Sequence, residues 1–128
     1  VKSVIIGTGI DIIEINRIKD AIARQSFVDK VFTLQEQQYC ESRGMQKASS
    51  YAARFAGKEA VMKAFGTGMA GGRLKDIEII LDDKGCPHVN LSGQFGALAK
   101  SMGVSMTYIS LTHAREYAAA QVILWGGK

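Results

Sequence analysis

Apolar residues recur along the chain with two different periods. Ser3 to Ile6 and Ile10 to Ile13 are short runs rich in β-branched side chains, joined by Gly7-Thr8-Gly9. This predicts a buried strand whose glycines admit a close neighbour at its middle. From Glu14 to about Ala23, Ile15, Ile18 and Ile22 return at helical spacing and leave Arg17, Lys19 and Arg24 toward solvent, so the first helix should carry a basic outer side. Thr33-Leu34-Gln35-Glu36 is a capping-box pattern and predicts a second helix that ends near Gly44. A third helix is predicted from about Ser49 to Phe65, where Tyr51, Phe55, Met62 and Phe65 share one stripe. That stripe is expected to lie against the sheet, with Glu59 and Lys63 on its flank beside Ala52 and Ala56.

The glycine-rich stretch Gly66-Thr67-Gly68-Met69-Ala70-Gly71-Gly72 ends this helix in a loop whose backbone can approach a ligand closely. Ile77, Ile79 and Leu81 then alternate with their neighbours, and Asp83-Lys84-Gly85 turns the chain into Val89 to Leu91, the pattern of a hairpin. Phe95, Leu98, Ala99 and Met102 define a short helix closed by Gly103, and Met106 to Thr112 and Tyr117 to Trp125 are two strands around Ala114-Arg115-Glu116. Helices and strands do not alternate regularly. The expected fold class is therefore α+β, about five strands in a mainly antiparallel sheet packed by one long helix.

The 128 residues, 47% hydrophobic and with a single proline, suit one compact domain over 1–128. The first apolar run is soon broken by Asp11, too early for a signal peptide or a membrane span, so a cytosolic protein is expected. Cys40 and Cys86 form no CxxC pair and are expected as reduced thiols. The formal charge is +4, and twelve of the sixteen Lys and Arg residues but only seven of the twelve acids fall in residues 1–75. A field of that kind attracts nucleic acid, anionic cofactors or acidic proteins. Without an arginine-rich run or interleaved aromatics, nucleic acid is the weakest of the three.

Asp11 interrupts an apolar strand and Glu59 flanks a helix that must pack on that strand's sheet, so the two carboxylates can meet at one edge. Bare carboxylates in contact repel, and a cation between them removes the difficulty. Oxygen ligands with one or two protein carboxylates suit Mg²⁺, completed by water and phosphate oxygens. The alternative is that Asp11 merely turns the chain while Glu59 is solvated. Lys63 stands one turn after Glu59, where a surface pair contributes only about 0.2–0.5 kcal/mol, but where an ammonium can neutralise a departing phosphate. Lys58 falls near the Phe55 and Met62 stripe, which is expensive unless it snorkels or finds an anion. His113, at a strand end, is either a hydrogen-bonded edge residue or a catalytic group.

Three ordered motifs are recognisable together: Gly7-Thr8-Gly9-Ile10-Asp11 continuing to Ile18, Arg54-Phe55-Ala56-Gly57-Lys58-Glu59-Ala60-Val61-Met62-Lys63 continuing to Gly68, and Ala118-Ala119-Ala120-Gln121-Val122. The chain resembles, over essentially its full length, the short single-domain holo-[acyl-carrier-protein] synthases of the 4′-phosphopantetheinyl transferase family. It departs at Gly57, where the family often has alanine or a larger residue. The resemblance implies transfer of the 4′-phosphopantetheine arm of coenzyme A to a serine of apo acyl carrier protein, with release of adenosine 3′,5′-bisphosphate. It further implies that Asp11 and Glu59 bind Mg²⁺ and that Lys63 assists at the pyrophosphate. Lys58, Gly66, Thr67, Gly68 and His113 belong to the coenzyme A site on this reading, and the protein is a homotrimer with sites between subunits. Arg17 and Arg24 are expected to dock the acidic carrier protein by charge. A non-catalytic module binding acidic proteins is the competing function; neither nucleic acid nor a membrane is an expected partner.

Overall fold

The computed structural model describes residues 2–69 and 71–127; Val1, Lys128 and Ala70 of the glycine-rich loop lie outside the described residues. The elements are β1 (Ser3–Glu14), α1 (Ile15–Ile22), α2 (Gln25–Val31), α3 (Leu34–Glu41), α4 (Lys47–Phe65), β2 (Ile77–Leu81), β3 (Pro87–Leu91), α5 (Gly93–Ser101), β4 (Val104–His113) and β5 (Tyr117–Gly127). The α+β class holds, and all strand pairs are antiparallel. The five strands form two sheets rather than one. A three-stranded sheet has the order β1-β5-β4, and β2-β3 is a separate hairpin, with β3 beside β4 but without ladder bonds to it.

The expected stripe on the long helix is corrected by the packing. Small residues, not the aromatic ones, face the three-stranded sheet: a Cβ at Gly7 would overlap the Ala64 carbonyl oxygen, and one at Gly9 the Ala60 carbonyl oxygen. Strand and helix backbones thus come closer than any side chain permits. The aromatic residues of α4 look away from the sheet. Tyr51 meets Phe32 at 4.8 Å between ring centroids, Phe55 meets Phe27 at 6.1 Å and Phe65 meets Phe95 at 6.0 Å. Enclosed by sheet and helices alike, α4 is buried around most of its circumference. Ala52 and Ala56 are fully buried, so they pack the interior and leave no room for a substrate. At Gly57 the missing side chain is replaced by its neighbours: Ile79, Ile109 at 3.2 Å and Leu111 at 3.3 Å fill the position of a Cβ.

A second correction concerns β1. It is a strand as expected, but at the sheet edge, and Ile10 and Ile12 are 68% and 65% exposed on the face turned away from α4. Periodicity alone does not reveal α2, whose Val28 and Val31 are buried. The Thr33 capping box is formed, with Glu36 N–H donating to the Thr33 hydroxyl and Thr33 N–H to the Glu36 carboxylate. Cys40 and Cys86 are both free, and burial pushes the Cys40 thiol up to about 12, so it is unreactive.

Candidate active site

The close approach at Gly9 fixes the course of β1 beyond it. Asp11, two residues on, points to the same face of β1 and is held beside the outer flank of α4, opposite Ala120 of β5. Lys63 reaches across from α4, its ammonium 2.9 Å from Asp11 Oδ1 and 3.1 Å from the Ile10 carbonyl oxygen on the open edge of β1. Glu59 stands one turn earlier on the same helix and is half-buried. Burial and then the Asp11 charge push its carboxyl above the ordinary carboxylate range, against the opposing pull of Lys63 and Arg17. Asp11, Lys63 and Arg17 therefore all act on Glu59: two acids and a lysine as expected, with Arg17 as an addition. Beside them Thr8, Gly9, Ile10, Lys63 and Gln121 line an open groove of about 410 Å³.

This donor set fits a hard divalent cation. Both acids offer only oxygen, and the Asp11 charge raises the cost of charging Glu59, which a cation would relieve. Among the described residues no group of three or more His, Cys, Asp and Glu side chains gathers anywhere. Two protein carboxylates leave most of an octahedron to water and substrate oxygens, the pattern of Mg²⁺ in phosphate chemistry.

The remaining expected site residues are not all brought together. Lys58 finds an anion rather than snorkelling: its side chain is fully buried and engaged by Glu36 and two backbone carbonyls, which corrects its expected place in the coenzyme A site. Gly66 caps the C-terminus of α4 in the left-handed region at φ 76°, and Gly68 also has positive φ. They open the loop just beyond Lys63. His113 lies at the far end of β4, two residues past Leu111, which abuts Gly57. Gly66 lies nine positions beyond Gly57 in the other direction, so His113 and the loop are roughly 20 Å apart along the helix. One chain does not unite them. Arg17 and Arg24 are exposed on and just after α1.

Two residues carry more than their sequence signal. Glu36, a capping residue by its spacing, is also the buried partner of Lys58 at 2.8 Å. Arg54 is 3% exposed, donates to the Ser50 carbonyl at 3.3 Å, stacks over Tyr39 at 4.4 Å and, among the described residues, has no carboxylate partner and no acceptor for its Nε. Its place at the head of the second motif was the signal available.

An acid pair and a flexible ammonium at a groove, carried on an α+β frame, define an enzyme that handles charged phosphate groups. The family model for the 4′-phosphopantetheinyl transferase superfamily matches residues 7–122, and the chain belongs to this superfamily. It is 50% identical over 119 residues, covering 91% of this chain and 89% of the other, to a holo-[acyl-carrier-protein] synthase of Ruminiclostridium cellulolyticum. The holo-ACP synthase of Plasmodium yoelii superposes with a TM-score of 0.85 at 32% identity, each chain being covered completely. The holo-(acyl-carrier-protein) synthase of Bacillus anthracis, in complex with CoA (3′,5′-ADP), gives a TM-score of 0.79 at 34% identity over 96% of this chain and 98% of that one.

Proposed function

We propose that this chain, acting as a single domain over 1–128, transfers 4′-phosphopantetheine from coenzyme A to a serine of apo acyl carrier protein. The products are holo acyl carrier protein and adenosine 3′,5′-bisphosphate. The observation that carries the reading is that Asp11 and Glu59, 48 residues apart in the chain, both act with Lys63, which lines the groove beside them. The serine oxygen attacks the phosphorus that bears the pantetheine arm, and the bond to the bridging pyrophosphate oxygen breaks. Glu59, half-buried and one turn before Lys63 on α4, takes the serine proton as general base. Lys63 neutralises charge on the departing bisphosphate, having only to swing away from Asp11. Asp11 and Glu59 would hold a Mg²⁺, which would supply charge neutralisation on the pyrophosphate.

Gly66, Thr67 and Gly68 form the loop that meets the coenzyme A phosphates, with Thr67 and Gly68 offering backbone N–H groups while that of Gly66 closes the helix cap, and His113 belongs to the coenzyme A site from the far end of β4. A homotrimer with sites between subunits belongs to the same proposal. Its supports are the distance between His113 and the loop within one chain, and the apolar outer face of the three-stranded sheet, where Ile10, Ile12, Met106 and Tyr108 are at least half exposed. Arg17 and Arg24 dock the carrier protein; near Arg24, Lys19 and Lys47 flank an apolar hollow of about 440 Å³ lined by Ile22, Ala23 and Met45. Among the described residues no helix is long and apolar enough to cross a membrane, and a cytoplasmic location agrees with two free cysteines.

The test is mass spectrometry of an apo carrier protein incubated with coenzyme A, with Mg²⁺ or with chelator. Addition of the arm only with the metal is the expected result. An unmodified carrier under both conditions would leave a non-catalytic binder of acidic proteins as the better description.

A further inference from the structure

Lys58 precedes Glu59 on α4 yet points the other way, into the space between α3, α4 and the start of β2. All three of its N–H groups are used: on Glu36 Oε1 at 2.8 Å, on the Leu74 carbonyl at 3.0 Å and on the Ile77 carbonyl. Glu36 is completed by the backbone N–H groups of Thr33 and Ile79, each at 2.9 Å. A fully buried ion pair is a poor source of stability, since apolar residues of equal volume commonly do as well or better. The cap of α3 needs Thr33 and Glu36 but not the lysine. What the lysine does, and an apolar residue could not, is tie the carbonyls of residues 74 and 77 to the middle of α4.

Those carbonyls stand where the glycine-rich loop returns. The loop leaves α4 at Gly66, whose N–H is bonded to the Met62 and Lys63 carbonyls. It comes back at Arg73, whose N–H donates to Asp76 Oδ2 at 3.2 Å, and at Leu74, whose carbonyl is on Lys58. Its glycines at 66, 68 and 71 have positive φ and no neighbour within 4 Å at the Cβ position, so side-chain packing at these glycines does not fix the loop. Gly72 packs against the Phe95 ring and donates to the Met69 carbonyl at 2.7 Å, and both ends of the loop are fastened to the helix that carries Glu59 and Lys63.

We propose that Lys58 is a positioning residue. Through the Leu74 and Ile77 carbonyls, with Glu36 as counter-ion, it holds the returning end of the loop at a fixed place relative to Glu59 and Lys63, so that the loop is set for the diphosphate donor before that donor arrives. The inference rests on the reading of Gly66-Thr67-Gly68 as part of the coenzyme A site. Ordering the loop in advance removes an entropic cost from binding.

Lys58→Met alone strands a buried carboxylate and is prone not to fold. The double variant Glu36→Gln/Lys58→Met removes both charges at nearly constant volume and is the one to measure. It is expected to melt close to the parent, to raise the KM for coenzyme A about tenfold with kcat changed less than about twofold, and to exchange the amides of residues 66–76 faster in the free protein. A variant that melts like the parent and keeps its KM for coenzyme A and its exchange pattern overturns the inference, because the pair is then structural only. Gly68→Val, in the parent background, reports on the reading beneath. A raised KM there with no effect of the double variant sinks only the role of Lys58; an unchanged KM there removes the loop from the site and this inference with it.

Discussion

Glu59 is the residue at which stability and chemistry oppose each other. Folding raises its pKa, by burial first and by the Asp11 charge second, so its protonated form is the one the fold prefers. Its favourable contribution is complete below the pKa of an unfolded glutamate and is lost as pH rises through the raised folded value. Near neutrality the charged carboxylate is therefore a strain on the protein. Glu59→Gln should melt no lower than the parent at neutral pH, with any advantage fading in acid, while transfer falls at least about 10²-fold; thermal scans at two pH values and the carrier assay check both. Asp11→Asn removes the like charge, so the Glu59 carboxyl, followed by NMR in the free protein, should titrate lower than in the parent. An unmoved midpoint would mean that the two acids do not share a site.

At the scale of elements, the acids meet because of two missing side chains. Gly9→Ala drives a methyl group into the Ala60 carbonyl oxygen, backbone that cannot give way without shifting β1 off α4. A loss of about 1–3 kcal/mol is expected, read as a lower denaturant midpoint, together with weaker transfer, because Asp11 moves with its strand. Much of this was legible beforehand. Strand periodicity, the Thr33 capping box and the Gly7-Thr8-Gly9 interruption each have a local cause, and each appears in the structure at the expected residues. The environment around α4 was not legible, for a physical reason. A helical wheel shows which residues share a face but not what that face meets. Here sheet, helices and hairpin enclose α4 on several sides, so alanines face the sheet while Phe55 and Phe65 face helices. Lys58 misled for the same reason. Its angle on the wheel was right, and only its partners, 22 residues before it and 16 and 19 after, decide that it is buried and paired.

For the whole molecule, the basic half of the chain would have two tasks under the proposed function. Arg17 acts on Glu59 as well as facing solvent, so reversing it would raise the Glu59 pKa further and disturb chemistry and docking together. Arg24, beyond the end of α1, is free of that coupling. Arg24→Glu is expected to raise the KM for the carrier protein and flatten its salt dependence while leaving that for coenzyme A in place; an unchanged carrier KM would assign docking to another surface. The separation of His113 from the glycine loop has a sharper consequence. If His113 of one protomer completes the loop of its neighbour in a closed ring, each interface needs only one intact copy of each. His113→Ala and Gly68→Val, each impaired alone, should then recover activity when unfolded and refolded together, since about a quarter of randomly formed interfaces pair an intact histidine with an intact loop. Activity of the mixture no higher than the mean of the two variants would require both groups to act from the same chain, and the roughly 20 Å between them would exclude a shared site.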